Sequence, residues 1–420
     1  MKILLSAYCC LPDEGSENAV GWNWAQCIGH RGHQVLVITR TVNRRKIESH
    51  IGLHPTRQVR YVYHDLPVAR LLYGIPFGNY LYYIIWQWTA ASLACRLHRT
   101  EHFELVQHIT WASFRAPSFM GRLRIPFIFG PVGGGEDTPR NLRGGMGLRG
   151  RFLDAVRRMS NRLVKLGMSY TYSSADRILA TTEETRASIP AIYRRKSLVR
   201  QAVGVELPVL EGHACDETDD GADRRLKVVF AGRLMAWKGV HLLLRALERV
   251  RLGDTAVHLT VIGSGPDGKR LHKLSDRLGT GSKIAWVPWL ERHKLLSTYR
   301  DFDLFAFPSL HDSGGLAVLE ALSYGLPVLC LDVGGPAAVV DESCGCVIRT
   351  ADASENDVVD AIARQFERIA AHRERLQELS HGAIARAARR GWQKVVDEVY
   401  DSPELPVFVE TCANPKLRSA

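Results

Sequence analysis

Two carboxylates, Asp312 and Glu320, lie on either side of a pair of glycines, Gly314 and Gly315. The spacing of apolar residues predicts a helix that begins at Leu316. The peptide N–H groups of Gly314, Gly315 and Leu316 would then lie at the positive end of this helix, where they can receive an anion. Glycine at this place would let a bulky phosphate approach the backbone closely. The residues therefore predict a phosphate site in a loop that also carries a carboxylate.

The elements around this loop are predicted to be strand, loop, helix and strand. The apolar runs 304–307 and 328–331 each predict a short buried strand. Between them, leucines recur at helical spacing from Leu316 to Leu322, and Gly325 ends the helix. This order is typical of a parallel crossover unit. Such units bind ligands where the loop leaves the carboxyl end of the first strand, which is where Asp312 lies.

A second candidate site follows the predicted strand 226–231. The next residues, 232–239, read G-R-L-M-A-W-K-G and precede a predicted helix. The guanidinium group of Arg233 can hold two oxygens, and Lys238 supplies a compact positive charge. Two basic residues in a loop are usually solvated. Their place between a strand and a helix makes a diphosphate site the alternative.

The segment H-D-S-G-G-L-A-V-L-E-A-L-S-Y-G-L-P-V, residues 311–328, resembles the donor-site motif of retaining, nucleotide-sugar-dependent glycosyltransferases of family four. That motif usually has two glutamates. Glu320 matches the second, and Asp312 stands in place of the first, as in a related subgroup with H-D-S-G-G. The G-R-L and W-K-G spacing resembles the diphosphate-binding motif of the same family. The resemblance covers most of the chain and is strongest in its second half.

The resemblance implies an α/β protein with two Rossmann-like domains facing a central cleft. The implied reaction moves a sugar from a nucleoside diphosphate sugar to an acceptor hydroxyl, with retention at the anomeric carbon and without a metal or another cofactor. Positive groups would stabilise the leaving diphosphate, Glu320 would bind the ribose, and Asp312 would bind the sugar. The implied donor site comprises Gly15, Arg233, Lys238, Ser313, Gly314, Gly315, Leu316 and Glu320.

His108 ends a predicted strand, 105–108, which is a favoured place for a ligand contact. A histidine at a strand end is more often structural. In the resembled family, a histidine near this place contacts the transferred sugar, which makes His108 a catalytic candidate beside Asp312. Gln107 is an alternative occupant of the equivalent position.

Residues 130–136 read G-P-V-G-G-G-E and follow another predicted strand. Three successive glycines cost backbone entropy, so they imply a special path of the chain. The path is either a tight loop or a close approach of substrate, and the preceding strand favours the second. We therefore predict that Gly133, Gly134 and Glu136 bind the acceptor, with Glu136 bonding to a hydroxyl group.

Alternating strands and helices predict a doubly wound sheet in each half. In the first loop, Ser16 is predicted to cap a helix that includes residues 21–30, although the loop's place after a strand also suits a ligand. The predicted domains are an acceptor-binding domain at 1–205, a linker at 206–225, a donor-binding domain at 226–385 and a final helix and tail at 386–420. The last part is expected to return to the first domain, with Trp392 and Tyr400 as apolar anchors.

Composition favours a soluble globular protein, since 46% of the 420 residues are hydrophobic and 24% are charged. The net charge of +11 indicates an anionic partner, either phosphorylated substrates or an acidic membrane surface. Nucleic acid is disfavoured because basic and aromatic residues do not alternate as they do in nucleic-acid modules. The cysteines lack paired metal spacing, and the first residues lack the layout of a signal peptide. We therefore expect a cytoplasmic protein with reduced thiols.

Two segments bear on a membrane. Residues 140–165 predict a basic amphipathic helix, with Arg151, Arg158, Arg162 and Lys165 on one face and apolar residues from Phe152 to Leu166 on another. The helix either packs its apolar side and solvates its charges, or binds the anionic inner face of the plasma membrane. The aromatic segment 71–95 predicts a buried helix from about Asn79, with a membrane-dipping or acceptor-lining helix as the alternative. Both segments suit a lipid-linked glycan acceptor, as in exopolysaccharide assembly.

Two other functions compete with sugar transfer. Asp312 in place of glutamate, and the ambiguity at His108, suit a non-catalytic relative that binds a sugar nucleotide or acts as a scaffold. The matching Arg233, Lys238 and Glu320 argue against it. An epimerase or phosphorylase of the same architecture is the other alternative, and the phosphorylase is disfavoured because no pyridoxal-phosphate lysine site is recognisable.

Overall fold

The computed structural model describes residues 1–66, 78–208, 225–251 and 257–403, and it describes only the backbone of residues 162–166. Three predicted features lie wholly or partly outside this range. These are most of the linker, the beginning of the aromatic segment and the tail beyond residue 403.

The chain forms two compact units. The first contains residues 1–135, 160–203 and those from Trp392 onward, and the second contains residues 136–159 and 204–391. The strands are β1 (Lys2–Ala7), β2 (Gln34–Thr39), β3 (Val59–Tyr63), β4 (Leu105–Thr110), β5 (Phe127–Val132), β6 (Arg177–Ala180), β7 (Ser197–Val199), β8 (Leu226–Ala231), β9 (Val257–Ile262), β10 (Ile284–Val287), β11 (Leu304–Phe307), β12 (Val328–Leu331) and β13 (Gly345–Ile348).

The helices surround these strands in both units. They are α1 (Ser16–His30), α2 (Arg44–Leu53), α3 (Gly78–Glu101), α4 (Gly147–Gly167), α5 (Ser169–Ser174), α6 (Glu183–Ser188), α7 (Val240–Arg249), α8 (Gly268–Leu278), α9 (Arg292–Thr298), α10 (Leu316–Ser323), α11 (Gly334–Val339), α12 (Glu355–Ala371), α13 (Glu374–Ala388) and α14 (Trp392–Tyr400).

Each unit contains one parallel sheet. The strand order is β3-β2-β1-β4-β5-β6-β7 in the first unit and β10-β9-β8-β11-β12-β13 in the second. The order reverses between β1 and β4 and again between β8 and β11. Open parallel sheets bind ligands at such switch points, outside the carboxyl ends of the strands. The predicted pair of Rossmann-like α/β domains is confirmed, and each sheet has one favoured place for a ligand.

The buried strands are rich in branched and aromatic residues because helices cover both faces of a parallel sheet. In the first unit, α3 buries Tyr82, Tyr83 and Trp86 in the core but leaves 52% of Trp88 exposed. The predicted buried helix is thus buried on one side only. Among the described residues, no helix combines the length and apolarity needed to cross a membrane.

Three local predictions for the first unit are wrong. Ser16 does not cap α1, because Gly15 occupies the cap position in an extended conformation and Ser16 is the first helical residue. His108 does not end its strand, since β4 continues to Thr110. The strand β5 likewise continues through Gly130 to Val132, so the loop begins only at Gly133.

The return of the chain to the first unit begins at Trp392 rather than at residue 386. Trp392 and Tyr400 are both buried, and the Tyr400 hydroxyl donates a hydrogen bond of 2.7 Å to the side-chain oxygen of Gln107. Gln107 is therefore part of the packing that holds α14.

The basic helix α4 has its apolar stripe on the outside. Asp154 is buried and pairs with Arg143, Arg157 and Arg158, whereas Phe152 is 67% and Met159 58% exposed. Burial opposes the ionisation of Asp154, but Thr138 and the arginines outweigh it and lower the pKa of this carboxyl. One of the two interpretations of this helix was that its apolar side is packed and its charged side is solvated. That interpretation is wrong for the described part of the helix.

Candidate functional site

Lys238 and Asp312 form an ion pair at the switch point of the second unit. Lys238 follows β8, Asp312 follows β11, and the ammonium nitrogen lies 2.5 Å from the carboxylate Oδ2 atom. The other carboxylate oxygen, Oδ1, accepts hydrogen bonds from the amides of Gly314, at 3.2 Å, and Gly315, at 2.9 Å. The structure thus brings together the two predicted motifs through a single carboxylate.

This arrangement changes the prediction for the start of α10. The amides of Gly314 and Gly315, expected to receive a phosphate, instead bind the side chain of Asp312. Gly315 is the cap residue, with a φ of 64°, and Leu316 is the first helical residue. An anion of the chain itself occupies this helix start, so a diphosphate would have to compete with it or bind beside it.

Asp312 is ionised at neutral pH. Burial opposes its ionisation, but Lys238 and the two glycine amides outweigh burial and hold the pKa of the carboxyl below its usual range. The neighbouring His311 is uncharged at neutral pH, because burial lowers the pKa of its imidazole to about 3. The loop therefore presents one fixed negative charge and a neutral imidazole.

The loop that carries Lys238 is held against the loop that carries Asp312. The Trp237 ring stacks on His311 with centroids 5.3 Å apart, and the Leu310 amide donates to the Trp237 carbonyl at 2.7 Å. Gly239 has a φ of 73°, and a Cβ atom at this position would lie 1.9 Å from the Pro308 carbonyl oxygen. The glycine of the W-K-G motif is therefore required by the close approach of the two loops.

Glu320 projects from α10 and is paired with a residue that the sequence did not suggest. Its Oε1 atom accepts hydrogen bonds from Arg292 Nε at 2.9 Å and Nη2 at 2.8 Å. Glu320 is 7% exposed, and burial raises the pKa of its carboxyl although Arg292 opposes the shift. Arg292 begins α9 in a polar run, and nothing in its local sequence indicates this pairing.

Arg233 is exposed and lines a cavity of about 400 Å³ in the second unit. The cavity lies at the carboxyl ends of β8, β9 and β10, and Trp289 at its rim is 69% exposed. A guanidinium group beside an exposed indole ring can bind a phosphorylated aromatic compound. The placement suits the diphosphate role predicted for Arg233.

Glu136 does not present a free carboxylate to an acceptor. It belongs to the second unit, is 2% exposed, and accepts a hydrogen bond from the Ser313 hydroxyl. Its main-chain oxygen also accepts a hydrogen bond of 2.7 Å from Arg157. Glu136, predicted to bind the acceptor, therefore contacts the loop that carries Asp312 through Ser313, a predicted donor-binding residue.

The other predicted residues, Gly15, His108, Gly133 and Gly134, lie in the first unit. The His108 side chain is fully buried, its Nε2 atom lies 3.2 Å from the Trp111 carbonyl oxygen, and burial lowers its pKa to about 4. Within the described part of the chain, its Nδ1 atom has no hydrogen-bond partner. Gly133 exchanges main-chain hydrogen bonds of 3.0 Å with Ala112 and Phe114, which fixes the start of the glycine loop.

Residues 219–384 match the family model described as "Glycosyl transferases group 1". The matched segment contains Arg233, Lys238, Asp312 and Glu320. The match covers 166 of the 420 residues, all in the second half of the chain, and assigns this segment to the group 1 glycosyltransferases. Its predicted relationship to retaining glycosyltransferases of family four is thereby confirmed.

Curated relatives of this chain include the D-inositol 3-phosphate glycosyltransferase of Streptomyces bingchenggensis. The two are 30% identical over 257 residues, which are 56% of this chain and 54% of the relative. The chain thus spans about half the length of the curated relatives it matches.

Solved structures support the fold over nearly the whole chain. The structure of Anabaena HepE in complex with UDP matches with a TM-score of 0.61 at 15% sequence identity. The match covers 96% of this chain and 99% of the HepE chain. WaaG, described as a glycosyltransferase involved in lipopolysaccharide biosynthesis, has a TM-score of 0.55 at 15% identity and covers 100% of both chains. The predicted glycosyltransferase B-type fold is confirmed.

Proposed function

We propose that this protein is a glycosyltransferase, which moves a sugar from a nucleoside diphosphate sugar to an acceptor hydroxyl with retention of configuration. The observation that carries the proposal is the Lys238–Asp312 pair at the switch point of the second unit. It places a cation and a carboxylate at the preferred ligand site of the sheet. The nearby cavity beside Arg233 supplies space for the nucleotide.

The proposed chemistry separates charge between the sugar and the leaving group. As the bond from the anomeric carbon to the phosphate oxygen breaks, Lys238 and Arg233 stabilise the charge that accumulates on the diphosphate. Asp312 faces the electron-poor sugar, and Glu320 binds the ribose hydroxyls. The acceptor oxygen bonds to the anomeric carbon on the same face, and its proton passes to the departing phosphate oxygen.

Uridine nucleotides are the first donors to test, because the HepE structures contain UDP, UDP with glucose, or UDP-glucose. The experiment measures release of nucleoside diphosphate from a panel of sugar nucleotides, with and without acceptors. Acceptor-dependent release is expected. A non-catalytic relative would bind a donor without releasing the diphosphate, and an epimerase would convert the donor sugar while leaving it attached, so either result would contradict the proposal.

We further propose that the protein works on the cytoplasmic face of a membrane and takes a lipid-linked glycan acceptor in cell-surface glycan assembly. The support comes from α4, on which Leu148 is 83% and Phe152 67% exposed beside the exposed Arg149 and Arg151. Exposed apolar side chains next to basic residues are typical of helices that lie in a membrane interface. The description of WaaG as a lipopolysaccharide enzyme agrees with this assignment.

A second exposed aromatic cluster lies in the first unit. The Trp88 ring packs edge-on against Phe119 at 5.2 Å, Phe119 lies 5.9 Å from Tyr170, and the Arg122 guanidinium lies 4.5 Å from the centre of the Trp88 ring. Tryptophan and tyrosine favour the interface between lipid and water. The cluster supports the membrane-dipping interpretation of α3.

Vesicle sedimentation tests membrane binding. Leu148→Ser with Phe152→Ser should release the protein from phosphatidylglycerol vesicles, because these substitutions remove exposed apolar contacts without touching the Asp154 ion pairs. Leu53→Ser is the matched control, since Leu53 is 76% exposed on α2 in a different surface. Equal sedimentation of the double variant and the wild type would contradict a membrane role for α4.

A further inference from the structure

The switch point of the first unit holds a carboxylate that sequence reasoning did not select. Glu17 lies in the first turn of α1, which follows β1, and its Oε1 atom accepts a hydrogen bond of 3.0 Å from the amide of Ala112, which follows β4. This bond joins the two chain segments on either side of the reversal in strand order. Lys238 and Asp312 join the corresponding segments in the second unit.

Aromatic rings cluster next to Ala112, the residue whose amide binds this carboxylate. Trp111 precedes Ala112 and stacks on Tyr8, with centroids 5.9 Å apart and an angle of 14° between the planes. Tyr80 meets the Trp111 ring edge-on at 6.4 Å and is 38% exposed. Glu17 and Trp111 are themselves only partly buried. The favoured ligand position of this sheet therefore combines a partly buried glutamate with aromatic side chains.

The chemistry of these groups matches a carbohydrate. An ionised carboxylate can only accept hydrogen bonds, and hydroxyl groups are donors that it binds strongly. Aromatic rings offer apolar surface to the carbon-bound hydrogens of a sugar ring, and a few placed polar groups fix its orientation. We infer that Glu17 binds a hydroxyl group of the sugar acceptor and helps to determine which acceptor is used. The inference rests on the proposed function.

The ionisation of Glu17 makes the inference measurable. Burial raises the pKa of Glu17 to about 7, although the Ala112 amide and the Cys9 thiol oppose the shift. The titratable groups that face it are Cys9, whose pKa burial raises to about 12, and Tyr83, whose pKa burial also raises. The Arg40 guanidinium lies over the Tyr8 ring, 4.3 Å from its centre. The charged fraction of Glu17 therefore grows between pH 6 and pH 8, and acceptor affinity should grow with it.

The test is steady-state kinetics of E17Q with the acceptor varied at saturating donor. The glutamine side-chain oxygen can still accept the Ala112 hydrogen bond, so the variant removes the charge and keeps the contact. The acceptor KM should rise about tenfold, the difference between a charged and a neutral hydrogen bond, while the donor KM stays unchanged. The wild-type acceptor KM should fall as pH rises through 7, and E17Q should lose this dependence.

Two further variants separate recognition from structure. E14Q is the matched control, because Glu14 lies in the same loop and pairs with Lys46 at the surface, and its kinetics should equal those of the wild type. E17D keeps the charge and should restore part of the acceptor affinity. An unchanged acceptor KM in E17Q, or an equal rise in its donor KM, would overturn the inference. If E17Q does not fold, a wild-type acceptor KM that is constant from pH 6 to pH 8 would overturn it.

Direct binding distinguishes this inference from the proposed function. Calorimetric titration of the wild type and E17Q with a panel of methyl glycosides requires no turnover. A wild type that binds a glycoside more tightly than E17Q does would support the role of Glu17 even if no donor released its diphosphate. Equal binding by the two proteins, or binding of no glycoside, would count against Glu17 while leaving donor turnover to decide the proposed function.

Discussion

The ammonium group of Lys238 lies 2.5 Å from the carboxylate of Asp312, and the same carboxylate receives the amides of Gly314 and Gly315. Lys238 follows one strand of the second sheet and Asp312 follows its neighbour. One side chain therefore neutralises a lysine and fills the start of a helix. A diphosphate at this place would either displace these contacts or bind beside them.

A double-mutant cycle should show that the pair is energetically coupled. The two side chains are only 18% and 20% exposed, so Lys238→Ala leaves a carboxylate without its counter-charge. The coupling energy between Lys238→Ala and Asp312→Ala, measured by urea unfolding, should be about 0.5–3 kcal/mol. The pair Lys46–Glu14, which is 63% and 38% exposed, serves as the control and should couple by no more than about 1 kcal/mol. Equal coupling in both cycles would contradict this expectation.

Lys238→Ala should also reduce turnover more than it reduces stability. Lys238 is expected to stabilise charge that develops on the diphosphate, which matters most in the transition state. Loss of a charge-assisted contact of about 1.5–3 kcal/mol predicts a roughly ten- to hundredfold fall in kcat. The check is kcat measured below the melting temperature of the variant, and transfer at the wild-type rate would remove Lys238 from the diphosphate site.

Asp312→Asn and Glu320→Gln should affect different kinetic constants. Asparagine can still accept the amides of Gly314 and Gly315 but loses the charge facing Lys238, so kcat should fall roughly tenfold or more. Asp312→Glu keeps the charge and should retain some activity. Glu320→Gln should chiefly raise the donor KM, because Glu320 is expected to bind the ribose. Steady-state kinetics with donor varied measures both constants, with the exposed Glu374→Gln as the control.

These roles predict a specific pattern. If Asp312→Asn and Glu320→Gln raised the donor KM equally and left kcat unchanged, Asp312 would not act on the sugar separately from the action of Glu320 on the ribose. A fall in kcat for Glu320→Gln at constant donor KM would instead point to the contact between Glu320 and Arg292 as a support of the reacting groups.

Acid should destabilise the protein through a buried histidine, His241. Burial lowers the pKa of His241 from its usual 6.5 to about 3, and among the described residues neither of its ring nitrogens has a hydrogen-bond partner. The unfolded chain therefore binds a proton that the folded chain excludes, so stability is full above pH 6.5 and falls as the pH drops toward 3. His241→Leu should reduce the pH slope of the unfolding free energy by up to about 1.4 kcal/mol per pH unit.

Urea unfolding at several values between pH 5 and pH 7.5 measures this slope. His381→Leu is a suitable control, because His381 is exposed on α13. An identical slope in the wild type and in His241→Leu would mean that His241 accepts its proton in the folded protein as readily as in the unfolded chain.

Several elements follow from the sequence because their causes are local. The apolar runs at β8, β11 and β12 predict strands whose ends agree with the structure. Helix α10 likewise begins at the predicted Leu316, where glycine precedes a leucine repeat. The bounds of β4 and β5 were predicted too short. Pairing with β1 extends β4 to Thr110, and β5 resumes its pairing with β6 at Val132, beyond an irregularity at Gly130 and Pro131.

The sequence by itself determined the alternation of strands and helices and the motifs that carry Lys238, Asp312 and Glu320, because these depend on residues close together in the chain. Only the tertiary structure decided which groups meet. The partners Lys238 and Asp312, Glu136 and Ser313, and Glu17 and Ala112 are separated by 74, 177 and 95 residues, respectively. The burial and charge environment of a side chain depend on such distant partners. For this reason only the folded structure shows that Asp312 accepts the hydrogen bonds of the amides predicted to bind a phosphate. Glu17 likewise becomes a candidate ligand only when the folded sheet brings it to Ala112.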